Sequence, residues 1–284
     1  MAEVIAPSIK CRIGEGALYH PDQRAVYWVD IPTGELYRYD LDSEDYEWLP
    51  TDQTVGGFTF QADGSVLLFG PEGKISAWDE GHITSVVDQI NDEENMRFND
   101  VIADSNGRVF AGTMADNDHS IGRLYRIETD GTTTQLENGV QLPNGMGFSP
   151  DDNNFYLVET NTNSIYQYDY NAETGALSNK QVFSRPNAEW NYDGLTVDES
   201  GYIWVGLWGG SAVARLNDEG NVENVFEVPA ENITTLTFGG EDYQTAYVTS
   251  ASYDAPLTDV DAGRLFRIKT DVRGRPENYS RIQL

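Results

Sequence analysis

One short motif occurs six times along the chain, and this repeat is the strongest constraint on the fold. Each copy starts with a polar or small residue and leads through alternating apolar positions and a turn into a second apolar run. The copies are EGALY from Glu15, GGFTF from Gly56, NDVIA from Asn99, NGMGF from Asn144, DGLTV from Asp193 and TTLTF from Thr234. Successive starts lie 41, 43, 45, 49 and 41 residues apart, a period typical of propeller blades. The repeat predicts an all-β, six-bladed β-propeller.

The segments between the motifs support this architecture. Gly, Asp, Asn and Pro separate the two apolar runs of each copy, as they do in β-hairpins. A third alternating segment follows in most copies, such as ELYRYD from Glu35, and is typical of a half-buried strand. No segment shows ten or more residues at helical period. We expect residues 1–284 to form one propeller domain, with residues 1–14 or the last segment completing a blade and removing an open sheet edge.

The charge balance excludes some classes of partner. The chain carries 47 acidic and 18 basic residues, a formal net charge of -29. Such a field repels phosphate backbones and anionic lipid surfaces, so we expect no binding to nucleic acid or membranes. The few lysines are Lys10, Lys74, Lys180 and Lys269. An acidic, lysine-poor composition is also typical of proteins from salt-rich cytoplasm, and it suggests a halophilic or marine microbial source, with an ordinary acidic protein as the alternative.

Cysteine usage and the N-terminal sequence bear on location. Cys11 is the only cysteine, so no intrachain disulfide can form. The first residues lack the basic and apolar regions of a secretion signal, and no segment approaches the length of a membrane span. The sequence therefore predicts a cytoplasmic protein that is a monomer or a weak homo-oligomer.

Equivalent positions of a closed ring face the same axis, so the residues that start the six motifs are expected to converge. Glu15, Asn144 and Asp193 would supply two carboxylates and an amide oxygen, the ligands of a hard divalent ion. Ca²⁺ is the first expectation, with Mg²⁺ and Mn²⁺ as alternatives. Zn²⁺ stays open, although no Cys or His starts a motif. The small or neutral Gly56 and Thr234 would leave room for a substrate beside the ion. The alternative is that such residues only cap turns.

Arg97 and Asn99 are candidate substrate-binding residues. They lie two positions apart, hence on the same face of an extended strand. Arg97 could donate to a substrate hydroxyl or carbonyl, and its alternative role is a surface ion pair with Glu93 or Glu94. Asn99 could ligate the ion or hold a bound water.

Further candidates surround this group. Asp116 and Asn117 follow a strand that ends near Met114 and could reach the rim of the site. Asp100 points to the opposite strand face, which favours either a structural role or a role in supporting the ligands without direct contact with the ion. Trp190 and Trp208 could form an apolar wall near Asp193, or could pack between blades instead.

These stretches resemble the regucalcin/gluconolactonase (SMP-30-like) family, and most closely its microbial sugar-lactonase branch. The resemblance covers almost the whole chain. It is carried by RFNDVIADSNGRVFAGTM from Arg97 and DGLTVDESGYIWVGLWGG from Asp193, with GEG at Gly14, NGMGFSPD at Asn144 and AGRLFRI at Ala262. It implies a six-bladed propeller in which one divalent metal assists the hydrolysis of a sugar lactone.

The resemblance also implies roles for particular residues. It implies metal ligation by Glu15, Asn144 and Asp193, sugar contacts by Arg97 and Asn99, and proton transfer by Asp193. The chain departs from the family pattern at Asn117, where some members carry a glutamate that contacts substrate, and at Asn191, where the usual proline before the Asp-Gly pair is missing.

The expected reaction is attack of water on a lactone carbonyl, with the cation polarising that carbonyl. Asp193 would act as general base or would orient the attacking water, and the product would be the aldonic acid. Two alternatives remain: a calcium-dependent, phosphotriesterase-like hydrolase, and a calcium-binding propeller without catalytic activity.

Overall fold

The computed structural model describes residues 1–115 and 121–284, and the regular secondary structure of these residues is almost entirely β-strand. Six four-stranded antiparallel sheets are the blades that the repeat predicts. The sole helical element in the described ranges is a 3₁₀ turn at Thr160–Thr162. No helix within these ranges has the length and apolar character needed to cross a membrane. The predicted all-β, six-bladed propeller is confirmed.

Each blade starts with a strand next to the axis, and chain order then runs outward. The first strands are β2 (Gly14–His20), β6 (Gly57–Phe60), β10 (Met96–Ala103), β14 (Pro143–Phe148), β18 (Asn191–Val197) and β22 (Asn232–Gly239). The second strands are β3 (Ala25–Asp30), β7 (Val66–Phe69), β11 (Val109–Ala115), β15 (Asn154–Glu159), β19 (Ile203–Trp208) and β23 (Thr245–Ala251). The third strands are β4 (Glu35–Asp40), β8 (Ile75–Asp79), β12 (Arg123–Ile127), β16 (Ser164–Asn171), β20 (Ala212–Leu216) and β24 (Leu265–Lys269). The fourth strands are β5 (Tyr46–Pro50), β9 (His82–Val87), β13 (Thr133–Asn138), β17 (Ala176–Ser184), β21 (Val222–Glu227) and β1 (Glu3–Ile5).

The fourth strands are the elements that the sequence pattern did not reveal. They lie at the perimeter of the ring, and both of their faces are largely exposed, as in β5 and β21. A strand that buries neither face has no reason to alternate apolar and polar residues. Hydrogen bonding to the third strand of the same blade defines these strands instead.

The ring closes through the first strands and through the N-terminal segment. First strands of neighbouring blades pack against one another around the axis, including β22 against β2. β1 pairs with β24 and places Val4 opposite Phe266, so the sixth blade contains strands from both ends of the sequence. The expected completion of a blade by residues 1–14 is confirmed, and the sheet edge of β24 is covered.

The hydrophobic core lies between the blades as six separate clusters. Between blades 3 and 4, for example, Phe110 packs edge to face on Phe148 with 5.4 Å between the ring centroids. Phe110 also lies 5.2 Å from the ring of Phe155. A Phe→Ala change at such a fully buried position costs about 3–5 kcal/mol. Each pair of blades is therefore held by its own apolar layer.

Buried ion pairs brace the turns between the first and second strands of blades 3 and 5. Asp104 accepts a 2.6 Å hydrogen bond from Nε of Arg108 and a 2.8 Å bond from the hydroxyl of Tyr170 in the next blade. Asp198 is fully buried and accepts from Nε of Arg215 at 2.8 Å. Removing one partner of such a pair leaves a buried charge and costs about 3–5 kcal/mol.

Residues 270–284 form a segment, called here the C-terminal strap, that crosses one end of the axis. The strap hydrogen-bonds to residues at or just after the ends of the first strands in four blades. Its contacts include Arg273 O with Glu199 N, Arg275 Nη1 with Phe148 O, Asn278 Nδ2 with Ala103 O, and Ser280 N with Phe60 O. The motif-starting residues lie at the opposite ends of the same strands, so the strap covers the end of the axis that faces away from them.

Candidate metal centre

Local irregularities in the first strands place the candidate ligands. The pairing between first and second strands shifts register between Glu15 and Leu18, between Pro143 and Met146, and between Tyr192 and Leu195. A β-bulge of this kind re-aims the side chains within it. The bulges therefore lie at the positions that carry Glu15, Asn144 and Asp193.

Glycines allow the first strands to approach each other closely at this level. A Cβ atom added to Gly145 would lie 2.1 Å from the backbone nitrogen of Leu195 in the next blade. One added to Gly194 would lie 2.3 Å from the Cβ of Thr235. The glycines that follow Asn144 and Asp193 are thus required by inter-blade contact.

The motif-starting residues of four blades line one cavity of about 360 Å³ at the end of the axis opposite the strap. Its lining residues are Ile13, Glu15, Ile31, Arg97, Asn99, Met114, Leu142, Asn144, Thr160, Asn161, Asn191, Asp193, Trp208 and Tyr253. The oxygen-bearing side chains of Glu15, Asn144 and Asp193 therefore meet in a pocket large enough for a small organic molecule.

The two carboxylates of this cavity are buried, and the charge of Arg97 at the cavity wall favours the ionised form of Glu15. Glu15 is 8% exposed and Asp193 is 3% exposed. Burial, and then the nearby charges of Asp193 and Asp100, raise the pKa of Glu15 well above its usual range. Burial, followed by the charge of Asp100, likewise raises the pKa of Asp193. A hydrogen bond from the Asn144 side chain acts in the opposite direction and lowers this pKa. A bound cation would favour the ionised form of both groups.

Individual atoms fit a hard cation. Oδ1 of Asp193 is buried and accepts no hydrogen bond from the described residues. Asn144 is 6% exposed, and its Nδ2 donates to Oγ1 of Thr160 at 3.2 Å. These contacts leave a carboxylate oxygen of Asp193 and the amide oxygen of Asn144 available as ligands. A set of oxygen donors without sulfur or imidazole suits Ca²⁺, Mg²⁺ or Mn²⁺.

Arg97 and Asn99 lie together at the wall of the cavity, as their spacing predicts. Nη1 of Arg97 donates to Oδ1 of Asn99 at 2.8 Å and to Phe98 O at 2.9 Å. Nδ2 of Asn99 donates to Pro143 O at 2.9 Å. The alternative pairing of Arg97 with Glu93 is not seen, because Glu93 accepts from Arg123 instead.

The family model of the SMP-30/Gluconolactonase/LRE-like region matches residues 13–252. The chain belongs to this family. The match spans the six motif-starting residues and all of the residues that line the cavity except Tyr253.

Members of the SMP-30/gluconolactonase family from distant organisms align with most of the chain. Pentonolactonase XacC of Haloferax volcanii is 41% identical over 286 residues, which cover 96% of this chain and 96% of that protein. Regucalcin of Danio rerio is 31% identical over 278 residues and covers 94% of each chain. Among solved structures, a calcium-binding regucalcin from Agrobacterium tumefaciens superimposes with a TM-score of 0.93 at 26% identity, covering 99% of this chain and 98% of its own.

Two of the six motif-starting residues do not reach the cavity, which corrects the expectation that all six converge. Thr234 is fully buried, and its hydroxyl donates to Gly14 O at 2.6 Å. A Cβ atom on Gly56 would lie 1.8 Å from Phe98 O. Both positions mediate contact between neighbouring first strands, so they do not provide the room for a substrate that we expected from them.

The other candidates divide between the cavity, the core and a region outside the description. Trp208 lines the cavity, whereas Trp190 packs on Tyr192 with ring centroids 5.4 Å apart. Trp190 also packs against the apolar cluster between blades 4 and 5, so it fits the inter-blade alternative, whereas Trp208 fits the expected apolar wall. Asp116 and Asn117 lie outside the described residues.

A second, smaller cavity of about 40 Å³ lies further along the axis, toward the strap. Asp100 and Glu277 line it, and Glu277 accepts a 3.4 Å hydrogen bond from Oγ1 of Thr196. Burial, with a contribution from the charge of Glu277, raises the pKa of Asp100 to about 7, although the Val101 N–H acts in the opposite direction. Asp100 thus faces the axis rather than a purely structural surface.

Sequence reasoning missed several cavity residues. Thr160, Asn161 and Tyr253 lie in connections after the second strands, where the motif has no counterpart. Glu277 belongs to the C-terminal strap, which is not part of the repeated motif. For Thr160, the one signal in the sequence is a polar residue directly after a largely buried second strand.

Proposed function

We propose that this protein hydrolyses a sugar lactone to the corresponding aldonic acid with the help of one divalent cation held by Glu15, Asn144 and Asp193. One observation carries the proposal: two buried carboxylates and an amide oxygen, with Oδ1 of Asp193 unpartnered among the described residues, meet in a cavity of about 360 Å³. The activity makes the protein a hydrolase of carboxylic esters.

The cation is the part of the proposal that the donor set supports most directly. It would supply Lewis-acid polarisation of the lactone carbonyl and charge stabilisation as that oxygen becomes negative. Ca²⁺ is the first candidate, because three protein oxygens leave positions for water and substrate in its large coordination sphere. The solved regucalcin of Agrobacterium tumefaciens is described as calcium-binding. Mg²⁺, Mn²⁺ and Zn²⁺ remain alternatives for the assay.

The chain's own residues account for substrate orientation and proton transfer. Arg97, braced by Asn99, is placed to donate hydrogen bonds to a ring hydroxyl or to the carbonyl oxygen. Asp193 accepts a proton from the attacking water while the oxygen of that water forms a bond to the carbonyl carbon. The ring carbon–oxygen bond then breaks, and the proton passes to the departing oxygen. Ionised Asp193 is needed for this step, and a neighbouring cation favours that form.

The size and lining of the cavity suggest a compact, uncharged substrate. Apolar side chains such as Ile31, Leu142 and Trp208 line part of the wall, and Asn161 and Asn191 line another part. A small polyhydroxylated ring fits this mixture of apolar and amide groups. The relative from Haloferax volcanii is a pentonolactonase, which makes five-carbon lactones the first substrates to compare.

The test is lactone hydrolysis by the chelated protein after separate addition of Ca²⁺, Mg²⁺, Mn²⁺ or Zn²⁺. Proton release from xylono-, arabinono-, glucono- and galactonolactone is followed with a pH indicator. We expect turnover only with added metal and only with an intact set of ligands, so Glu15→Gln is the matched inactive variant. Turnover that persists in chelator would contradict the role of the cation.

The rival functions give different results in the same experiment. Hydrolysis of a phosphotriester but of no lactone would favour the phosphotriesterase-like activity. Metal binding by a folded protein, without turnover of either class, would favour a non-catalytic calcium-binding propeller.

A further inference from the structure

The hydroxyl of Thr160 contacts a candidate metal ligand and a neighbouring blade at the same time. Its Oγ1 lies 3.2 Å from Nδ2 of Asn144 and 3.0 Å from the carbonyl oxygen of Tyr192. Tyr192 directly precedes Asp193 in the next blade. A single side chain therefore links the backbone beside one ligand to the side chain of another.

The single proton of this hydroxyl determines how Asn144 is oriented. A carbonyl oxygen can only accept a hydrogen bond, so Thr160 must donate its proton to Tyr192 O. Its oxygen can then only accept from Asn144, and only the amide nitrogen of Asn144 can donate. The flipped amide would bring two acceptors together. Thr160 thus selects one of the two amide orientations, which electron density alone rarely distinguishes.

The selected orientation leaves Oδ1 of Asn144 as the atom available to a cation. Within the described residues no hydrogen bond to Oδ1 is found. We infer that Thr160 is a positioning residue that holds the Asn144 amide with its oxygen free for the metal. This inference rests on the proposed function, because it requires a cation at Asn144.

Thr160 is itself held in the tight turn between the second and third strands of blade 4. Its backbone N–H donates to Leu142 O at 3.1 Å. The buried carboxylate of Glu159 accepts from Leu142 N at 3.2 Å and from Thr162 N at 2.9 Å. Asn163 adopts a left-handed conformation and donates from Nδ2 to Trp190 O. These bonds fix the hydroxyl before any ligand binds, as a group that orients a metal ligand requires.

The first experiment compares the affinity of Thr160→Val and Thr160→Ser for Ca²⁺ and Mn²⁺ by titration calorimetry. The valine keeps the side-chain shape but loses the hydroxyl, whereas the serine keeps it. Changes to groups that orient ligands weaken metal binding by about 10–100-fold, which we expect for Thr160→Val and not for Thr160→Ser. Thr162→Val is the matched control, because the Thr162 hydroxyl lies near Glu159 O and the hydroxyl of Tyr166.

A second background separates positioning from packing. In Asn144→Asp both side-chain oxygens can ligate, so no orientation has to be selected. Thr160→Val should therefore cost little metal affinity in the Asn144→Asp background, which gives a strongly non-additive double-mutant cycle. The metal-induced rise in Tm provides an independent reading of each affinity.

The possible outcomes distinguish the two proposals. If the wild-type protein binds no divalent ion, the proposed function fails and this inference fails with it. If the wild-type protein binds metal and Thr160→Val binds it equally well, only the inference is overturned. An equal loss in both backgrounds also overturns it, because a packing defect would not depend on residue 144.

Discussion

Arg97 donates a 2.8 Å hydrogen bond from Nη1 to Oδ1 of Asn99, so the two side chains form one unit at the wall of the cavity. Asn99 is fixed in turn by its bond to Pro143 O in the next blade. An oxygen lone pair and an amide hydrogen of Asn99 are thus already used within the protein. Asn99 therefore acts to a large extent through the position of the Arg97 guanidinium.

The first prediction concerns this unit. Asn99→Ala and Arg97→Lys should each lower kcat/KM by about 10–100-fold, since a hydrogen bond to a charged group contributes about 1.5–3 kcal/mol. The double variant should lose little more than Arg97→Lys alone. Steady-state kinetics on the best lactone measures all three, and exposed Arg24→Lys serves as the control. Fully additive losses would show that Asn99 acts independently of Arg97.

The second prediction concerns Asp193. Asp193→Asn should reduce kcat by about 10²–10⁴-fold, the usual contribution of a general base. The same change removes a buried negative charge, so the Tm of the chelated variant should equal or exceed that of the chelated wild type. Addition of Ca²⁺ should then raise the Tm of the wild type only. Thermal melts with chelator and with Ca²⁺ test this, with exposed Asp218→Asn as the matched control.

The third prediction is a pH dependence that originates at Asp100. Its folded-state pKa of about 7 exceeds the ordinary aspartate value of 3.8, so the folded protein binds more protons than the unfolded chain between these values. The contribution of this group to stability therefore falls as pH rises from about 4 to 7 and stays low above pH 7. Asp100→Asn should raise the Tm at pH 8, and this gain should vanish near pH 4. A gain that is independent of pH would contradict the assignment.

The fourth prediction follows from the net charge of -29. At 0.1 M salt the Debye length is about 10 Å, and at 1 M it is about 3 Å, so added salt should remove most of the repulsion among surface carboxylates. Tm should rise between 0.1 and 1 M KCl, by about 2–4 °C for each kcal/mol of repulsion removed. Equal osmolality of sucrose is the control for solvent exclusion. A fall in Tm would mean that surface ion pairs such as Arg267–Glu3 outweigh the repulsion.

The architecture could be predicted from the sequence because the first and second strands of each blade are buried in every repeat. Their burial imposes the apolar pattern that recurs from Glu15 to Thr234. The perimeter strands β5 and β21 could not be predicted in this way, since solvent places no demand on their side chains. The strap likewise could not be predicted, because most of its hydrogen bonds reach backbone groups of the blades, which any sequence provides.

The candidate site was predictable where chemistry and repetition coincide. Glu15, Asn144 and Asp193 combine an equivalent position with oxygen ligands, and the structure brings them to one cavity. Thr234 occupies the equivalent position of its repeat, but its hydroxyl donates a hydrogen bond to Gly14 O. No sequence pattern reveals this contact. Thr160 carries no repeat signal, and its contact with Asn144 depends on how two blades meet.

The pairing of β1 with β24 also has a consequence for the time course of folding. Val4 faces Phe266 across this sheet, and the strap adds contacts such as Thr59 with Ser280. Contacts between residues so distant in sequence form late, because a long loop must close first. Until then β24 presents an open edge, and the nascent chain is at its most vulnerable to aggregation. Closure of the ring through β1 and β24 is thus also the folding step that removes this exposed edge.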